Sequence, residues 1–320
     1  MKHFAIVIFS LVMSLSLSAQ TKRALLVGIS KYDKTATGWE MIHGTNDIAL
    51  MSKALAGFET TKLLDSAATY ANITKALKRL ISQTKAGDIV YVHFSGHGQP
   101  YEDLEGDEAD GWDEAFIPFD ACISYSKGKY EGKNHLTDDI LHRYLEKLRL
   151  KAGKAGMVYV SIDACHSGDS YRGTETDDDE GILTDDSYIA SLYLVPATSD
   201  NKTYERGSAA GFSPNNRIYL ANHSQAKVYG NVETSPGMSK IVMLESCRST
   251  EKSKELKLYI KDKSGNSKNF YCGLLSYSIY KVLKTSKLDS NADWVKSVKT
   301  VFDRTRQSDN KQQLVIEKTK

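Results

Sequence analysis

Two short segments of the 320-residue sequence carry residues whose types and spacing suit covalent chemistry. YVHFSGHGQ (91–99) and YVSIDACHSG (159–168) each run as an apolar strand that stops in small residues and one reactive side chain. The first delivers His97, the second Cys165. A free thiol, with a pKa of about 8.5, is a modest nucleophile until it loses its proton. A neighbouring imidazole can take that proton and hand it to a leaving amine. Glycines beside the reactive residues let backbone approach a substrate, so the N–H groups of Gly98 and Cys165 are candidate donors to a developing oxyanion. Taken singly, a cysteine at such a place is more often a small core hydrophobe, and a histidine more often structural. Two such segments at the ends of successive strands are far more specific. His166 also adjoins the thiol, but successive side chains on extended backbone point to opposite faces, so His97 is the preferred base.

The elements that must position this pair read as an alternation of strand and helix. Arg23–Ile29 is a buried-strand run, residues 47–55 have helical spacing, and residues 62–64 form a brief second strand. Asn72 is expected to cap the helix ITKALKRLISQT. IVYVHFS at 89–95 is the third strand, and Thr137 caps a helix with Ile140, Leu141, Tyr144, Leu145 and Leu148 on one face. MVYVSID at 157–163 is the fourth strand. Near-continuous apolar strands alternating with helices predict an α/β fold with a parallel sheet covered on both faces. Such sheets build their sites at the carboxyl ends of the strands, and both reactive residues fall there. Residues 172–237 are acidic at first and then rich in Gly, Ser and Asn, reading as a long insertion, mobile segment or lid. Strand character returns at 240–244, followed by a hairpin (256–271), helices over 273–283 and 293–306, and a last strand at 312–316.

The chain opens on a basic start, an apolar run from Phe4 to about Leu15, and the small-residue stretch Ser16–Ala19. That order predicts a secretory signal peptide over residues 1–19 and an exported protein, periplasmic or secreted, with no membrane span after its removal. The formal charge of +2 falls to +1 without Lys2, so no nucleic-acid partner is implied. Cys122, Cys165, Cys247 and Cys272 lie too far apart for a zinc pattern. With Cys165 kept free, one disulfide at most remains available.

FSGHG at 94–98 and DACHSG at 163–168 resemble the histidine and cysteine motifs of the caspase-like superfamily, and most closely those of metacaspases and their bacterial relatives. KRALLVGISKY (22–32), GTNDI (44–48), GDEADGWDEAFIPFD (106–120) and LTDDIL (136–141) add to the resemblance. IVMLESCRSTEKSKE (241–255) and CGLLSYSI (272–279) resemble the smaller C-terminal part of that fold. The resemblance implies a three-layer sandwich with a central, mostly parallel six-stranded sheet and helices on both faces. It divides the chain into a large subdomain (20–172), an insertion or linker (173–238) and a small subdomain (239–320). The activity implied is that of a cysteine endopeptidase. A non-catalytic scaffold or adhesion module on the same fold is the alternative, and the intact His97 and Cys165 weigh against it.

Asp163 lies two residues before Cys165, on the same strand face. Asp47 lies in GTND, which resembles the segment lining the primary pocket of metacaspases. Two carboxylates in one pocket favour a cation and match a guanidinium bidentately, so the resemblance implies peptide or protein substrates cut after Arg or Lys. A blander role, Asp47 as a helix cap and Asp163 as partner of a buried base, stays open. Asp113, Asp138 and Asp139 resemble calcium ligands of metacaspases, which makes calcium an expected activator but not a required cofactor. Asp138 and Asp139 also occupy a helix first turn, where negative charge is favoured in any case. If the pocket takes cations, Arg172, Lys202 and Arg206, expected to be exposed in the insertion, are candidate self-cleavage sites.

Overall fold

The computed structural model describes residues 20–106, 108, 110–165, 192–194, 204–208, 210–220, 229–261, 267–288, 293–307 and 310–320. The expected signal peptide, His166, Arg172 and Lys202 lie outside the described residues. In chain order the first half comprises β1 (Lys22–Gly28), α1 (Lys34–Thr37), α2 (Gly44–Ala54), β2 (Glu59–Leu64), α3 (Tyr70–Gln83), β3 (Ile89–Ser95), β4 (Gly98–Glu102), β5 (Trp112–Phe116), β6 (Leu136–Thr137) and α4 (Asp138–Ala152). There follow β7 (Met157–Asp163), β8 (Leu192–Leu194), β9 (Tyr229–Asn231), β10 (Lys240–Glu245), β11 (Glu255–Lys261), β12 (Ser267–Gly273), α5 (Leu274–Leu283), α6 (Trp294–Thr305) and β13 (Val315–Lys318).

The central sheet runs β2-β1-β3-β7-β10-β13-β9. Its first five strands are parallel, β13 is antiparallel to β10, and β9 is parallel to β13. Seven strands rather than six build it. The extra strand, β9, comes from the segment expected to be an insertion, where three residues gave too little periodicity to read. Helices cover both faces of the sheet, so the two sets of alternating side chains on the core strands are both buried and mostly apolar. Ala24, Leu26, Tyr91 and Tyr159 pack under α2, α5 and α6, whereas Leu25, Val27, Val92 and Val160 pack under α3 and α4. That makes the expected three layers.

Local signals set the helix ends. Thr137 caps α4 by accepting from the Ile140 N–H, as anticipated. For α3 the cap is Thr69, whose hydroxyl accepts from the Asn72 N–H; Asn72 lies inside the first turn and its amide donates to the Ala67 carbonyl. The Thr69 hydroxyl, three residues upstream, therefore took the role assigned to the Asn72 carboxamide. Among the described residues no helix is long and apolar enough to cross a membrane. All four cysteines are free thiols.

Candidate active site

β3 and β7 are neighbours with Ser95 paired to Asp163, so His97 and Cys165 each lie two residues beyond one registered pair, at adjoining strand tips. The tips approach so closely that a Cβ on Gly98 would stand 1.6 Å from the Cys165 carbonyl oxygen. Only glycine fits there, and its N–H is thereby brought beside that of Cys165.

His97 is held by its surroundings in one tautomer. Its ring stacks on Trp39, with centroids 4.8 Å apart, and lies tilted against Tyr32. Its Nε2 is 2.8 Å from the Glu40 carbonyl oxygen, which can only accept, so Nε2 carries the hydrogen. Nδ1 is buried without a hydrogen-bond partner and holds a bare lone pair. Burial depresses the ring's pKa to about 4, which keeps that lone pair available near neutrality. The Cys165 thiol itself donates to the Ser253 carbonyl (3.5 Å) and accepts from the Ser253 N–H (2.8 Å), not from His97, so Nδ1 could take its proton only after the thiol turns towards it.

Asp47 and Asp163 converge, joined by Glu255, and together they enclose Arg206. Its guanidinium is fully buried. Nη1 donates to Asp47 Oδ2 (2.6 Å), Ser95 Oγ (2.9 Å) and the Asp163 carbonyl (3.1 Å), and lies 3.4 Å from Asp163 Oδ1. Nε and Nη2 donate to Glu255 Oε1 at 3.0 and 2.7 Å. Three carboxylates face one guanidinium, and they do not share it equally. Burial drives the Glu255 carboxyl upward, but His43 and Arg206 outweigh it and hold the pKa at about 2. Burial, partly offset by Arg206 and reinforced by the Asp47 charge, pushes Asp163 above its ordinary range. Asp47 does not cap α2: the N-cap is His43, and Asp47 Oδ1 accepts from the Gly273 N–H, tying α2 to the end of β12. Asp163 Oδ2 accepts from the backbone N–H and hydroxyl of Ser276 at the start of α5.

Arg206 was expected to be an exposed residue, and that expectation is overturned. Tyr204–Arg206 lies along the chain at Ser253–Glu255 like an added strand: Arg206 N–H donates to the Ser253 carbonyl and Glu255 N–H to the Tyr204 carbonyl. The Arg206 carbonyl oxygen accepts from Cys165 N–H at 2.6 Å and from Gly98 N–H at 3.3 Å, the two donors anticipated for an oxyanion. On the far side of the peptide bond, Ser208 N–H donates to the Gly98 carbonyl. A Cβ on Gly207 would stand 2.4 Å from Cys165 Cβ and 3.4 Å from Sγ, so a residue without a side chain follows Arg206. Five residues are not evident in the sequence alone: Ser95, His43, Glu255, and Trp39 and Glu40, which support His97. Ser95 could have been found by period two, standing one strand-face step before His97; the others are polar or aromatic residues whose partners are distant in sequence.

The expected calcium set is only partly assembled. Asp113 and Glu114 are adjacent on β5 and so face opposite ways; the charge of Glu114, not that of Asp113, is felt with that of Asp138. Burial and the Glu108 and Asp139 charges push Asp138 up to about 7. Burial first, then Asp138, Glu245, Glu108 and Asp110, raise Glu114 well above its ordinary value. Asp138 Oδ1 is buried without a hydrogen bond. Hard oxygen donors under mutual repulsion suit a divalent cation, although among the described residues no three such side chains form a metal-holding group.

One consequence of burial is measurable. His93, inside β3, is fully buried between Ser161 Oγ (2.7 Å) and Ser276 Oγ (3.4 Å), and burial lowers its pKa from 6.5 to about 4. The fold thus favours the neutral ring. This contribution is whole above pH 6.5, where the unfolded chain is also neutral, and disappears as the pH falls towards 4. His93→Gln should therefore cost stability at pH 7 and cost roughly 2–3 kcal/mol less at pH 4. Urea unfolding of both proteins across that range reads the difference; a gap independent of pH would contradict a neutral buried His93.

The chain is similar in sequence and in fold to known proteins. A family model described as a caspase domain matches residues 21–319. Metacaspase-1 of Ajellomyces capsulatus is 29% identical over 204 residues, covering 59% of this chain and 52% of that protein. Metacaspase-1B of Aspergillus fumigatus is 26% identical over 297 residues, covering 88% of this chain and 66% of its own length. The chain spans about half the length of several of the curated relatives it matches. The crystal structure of protein GSU0716 from Geobacter sulfurreducens is similar in fold, with a TM-score of 0.54 and 20% identity over 93% of each chain.

Proposed function

Since the chain belongs to the caspase-domain family, we propose that it is an exported cysteine endopeptidase that cuts after Arg or Lys, its own Arg206–Gly207 bond among the first. The observation that carries the reading is the posture of Arg206, with side chain among three carboxylates and carbonyl oxygen on the Gly98 and Cys165 N–H groups. In the reaction, Cys165 Sγ gives its proton to His97 Nδ1 and attacks the carbonyl carbon of the residue in the Arg206 place. The oxyanion forms where two N–H groups already converge, so little reorganisation is needed. Collapse breaks the C–N bond, and His97 returns the proton to the departing amine, Gly207 N in the self-cleavage case. Water then hydrolyses the thioester, with His97 as base again. Before cleavage, Tyr204–Arg206 holds the site against other substrates; afterwards the segment can leave.

Release of a reporter from peptides ending in Arg, Lys or Asp tests the assignment. Hydrolysis after Arg and Lys, and none after Asp, is the expected result. Hydrolysis after Asp alone would overturn the pocket reading. No hydrolysis by freshly reduced protein, with Cys165 resistant to alkylation, would favour the scaffold module. Export rests on the leader-like order of residues 1–19.

Calcium, where it binds, would meet Asp138 and Glu114 in place of Asp113, since among the described residues no third such side chain joins them in one group. When bound it supplies positive charge that stabilises this corner of β5 and α4. Millimolar calcium should raise the melting temperature by roughly 5 °C if it exceeds its dissociation constant about a hundredfold. Asp138→Asn should abolish that rise. Equal melting temperatures with and without calcium would remove the ion from the scheme.

A further inference from the structure

Asp47 and Asp163 explain attraction for a cation at the pocket's far end, yet they do not distinguish the two cationic side chains. The Nη1 edge of Arg206 meets Asp47, Ser95 and Asp163, and its Nε–Nη2 edge meets Glu255 alone. Glu255 is fixed independently of the arginine. Its Oε2 accepts from His43 Nδ1 at 2.6 Å, and its Oε1 accepts from the His43 backbone N–H at 2.9 Å. His43 is itself immobilised, stacked on Tyr271 with centroids 4.7 Å apart and met edge-on by Tyr204. Both side chains are fully buried.

We propose that Glu255 is a specificity-determining residue that makes the pocket prefer arginine over lysine, with His43 as its positioning residue. A lysine offers one nitrogen at the end of its stem. It can reach the Asp47–Asp163 end or Glu255, and whichever acceptor it forgoes keeps its protein donors but loses the charge-assisted bond that arginine supplies. Arginine, with donors on two edges, satisfies both. The proposal rests on the reading that Cys165 cuts after basic residues, and it names which contact sets the order among them.

The test is kcat/KM for matched peptides ending in Arg or Lys, using the freshly reduced full chain and its variants under one calcium condition. Wild-type protein should favour Arg, and Glu255→Gln should reduce the Arg-to-Lys ratio by roughly tenfold or more, the size of a hydrogen bond to a charged group. His43→Ala should raise KM for Arg peptides by a larger factor than for Lys peptides, with the change in KM rather than kcat; a general structural defect would lower kcat/KM for both substrates by the same factor. If Glu255→Gln fails to fold, Glu255→Asp, which keeps the charge but shortens the reach, should lose the same preference. A substrate-side measurement needs no variant: methylating the peptide's arginine on its chain-side guanidinium nitrogen should weaken wild-type cleavage roughly tenfold. Wild-type protein that cuts both peptides while the Glu255 variants keep the Arg-to-Lys ratio, or that ignores the methyl group, overturns this inference and leaves the peptidase reading standing. Wild-type protein that cuts neither overturns the peptidase reading itself.

Discussion

Arg206→Ala is expected to leave the chain in one piece under conditions where the wild type separates into two fragments, and to lower its folding stability by roughly 3–5 kcal/mol. The two effects have one cause. Arg206 is the guanidinium that Asp47, Asp163 and Glu255 share, all three side chains fully buried, and removing it leaves Asp47 and Asp163 facing each other out of water while Glu255 keeps only His43. The cost is that of stranding partners rather than the net worth of an ion pair, which burial makes small or unfavourable. Urea unfolding measures the stability, and gel separation the cleavage. A peptide amide ending in arginine should restore part of the lost stability by entering the emptied pocket. Stability unchanged by the substitution would mean that water enters and solvates the acids. An Arg206→Ala chain still cut at the same position would place the scissile bond elsewhere.

Cys165→Ala should reduce reporter release by at least about 10⁴-fold, and His97→Ala by roughly 10²–10⁴-fold. The difference reflects the roles: without sulfur there is no acyl intermediate, whereas without the imidazole the nucleophile remains but loses its proton carrier. Neither change should shift the melting temperature much through the pocket, because neither side chain touches the Arg206 guanidinium through a hydrogen bond. His97→Ala also leaves Trp39 without its stacking partner, so its stability should be recorded beside its rate. The doubly substituted protein should be no slower than Cys165→Ala, since residues that act in one step do not add. Turnover retained by Cys165→Ala would exclude the thiol as nucleophile.

Much of this arrangement was legible in the chain itself. Apolar runs read at 23–29, 89–95 and 157–163 correspond to β1, β3 and β7, and the small residues after them marked where backbone comes close. Period-two geometry put Asp163 on the Cys165 face before any coordinates did. The Thr137 cap and the apolar stripe of α4 were readable because they depend on neighbours within one turn. Expectations failed where the partner was remote. Asn72 lost the cap to Thr69, a contest between two adequate candidates. The exposure expected of Arg206 came from the composition around it, which is polar and rich in glycine and so resembles a surface loop.

Local sequence pointed to the residues proposed to react: a thiol and an imidazole at strand ends, glycines beside them, and Asp163 on the Cys165 face. Tertiary structure alone decided what fills the pocket and how its acids divide the task. Asp47 reaches Arg206 across 159 positions and Glu255 across 49. No periodicity encodes such separations, because they are set by how a parallel sheet brings distant strand ends together, and by the cost of leaving any one of those charges buried alone.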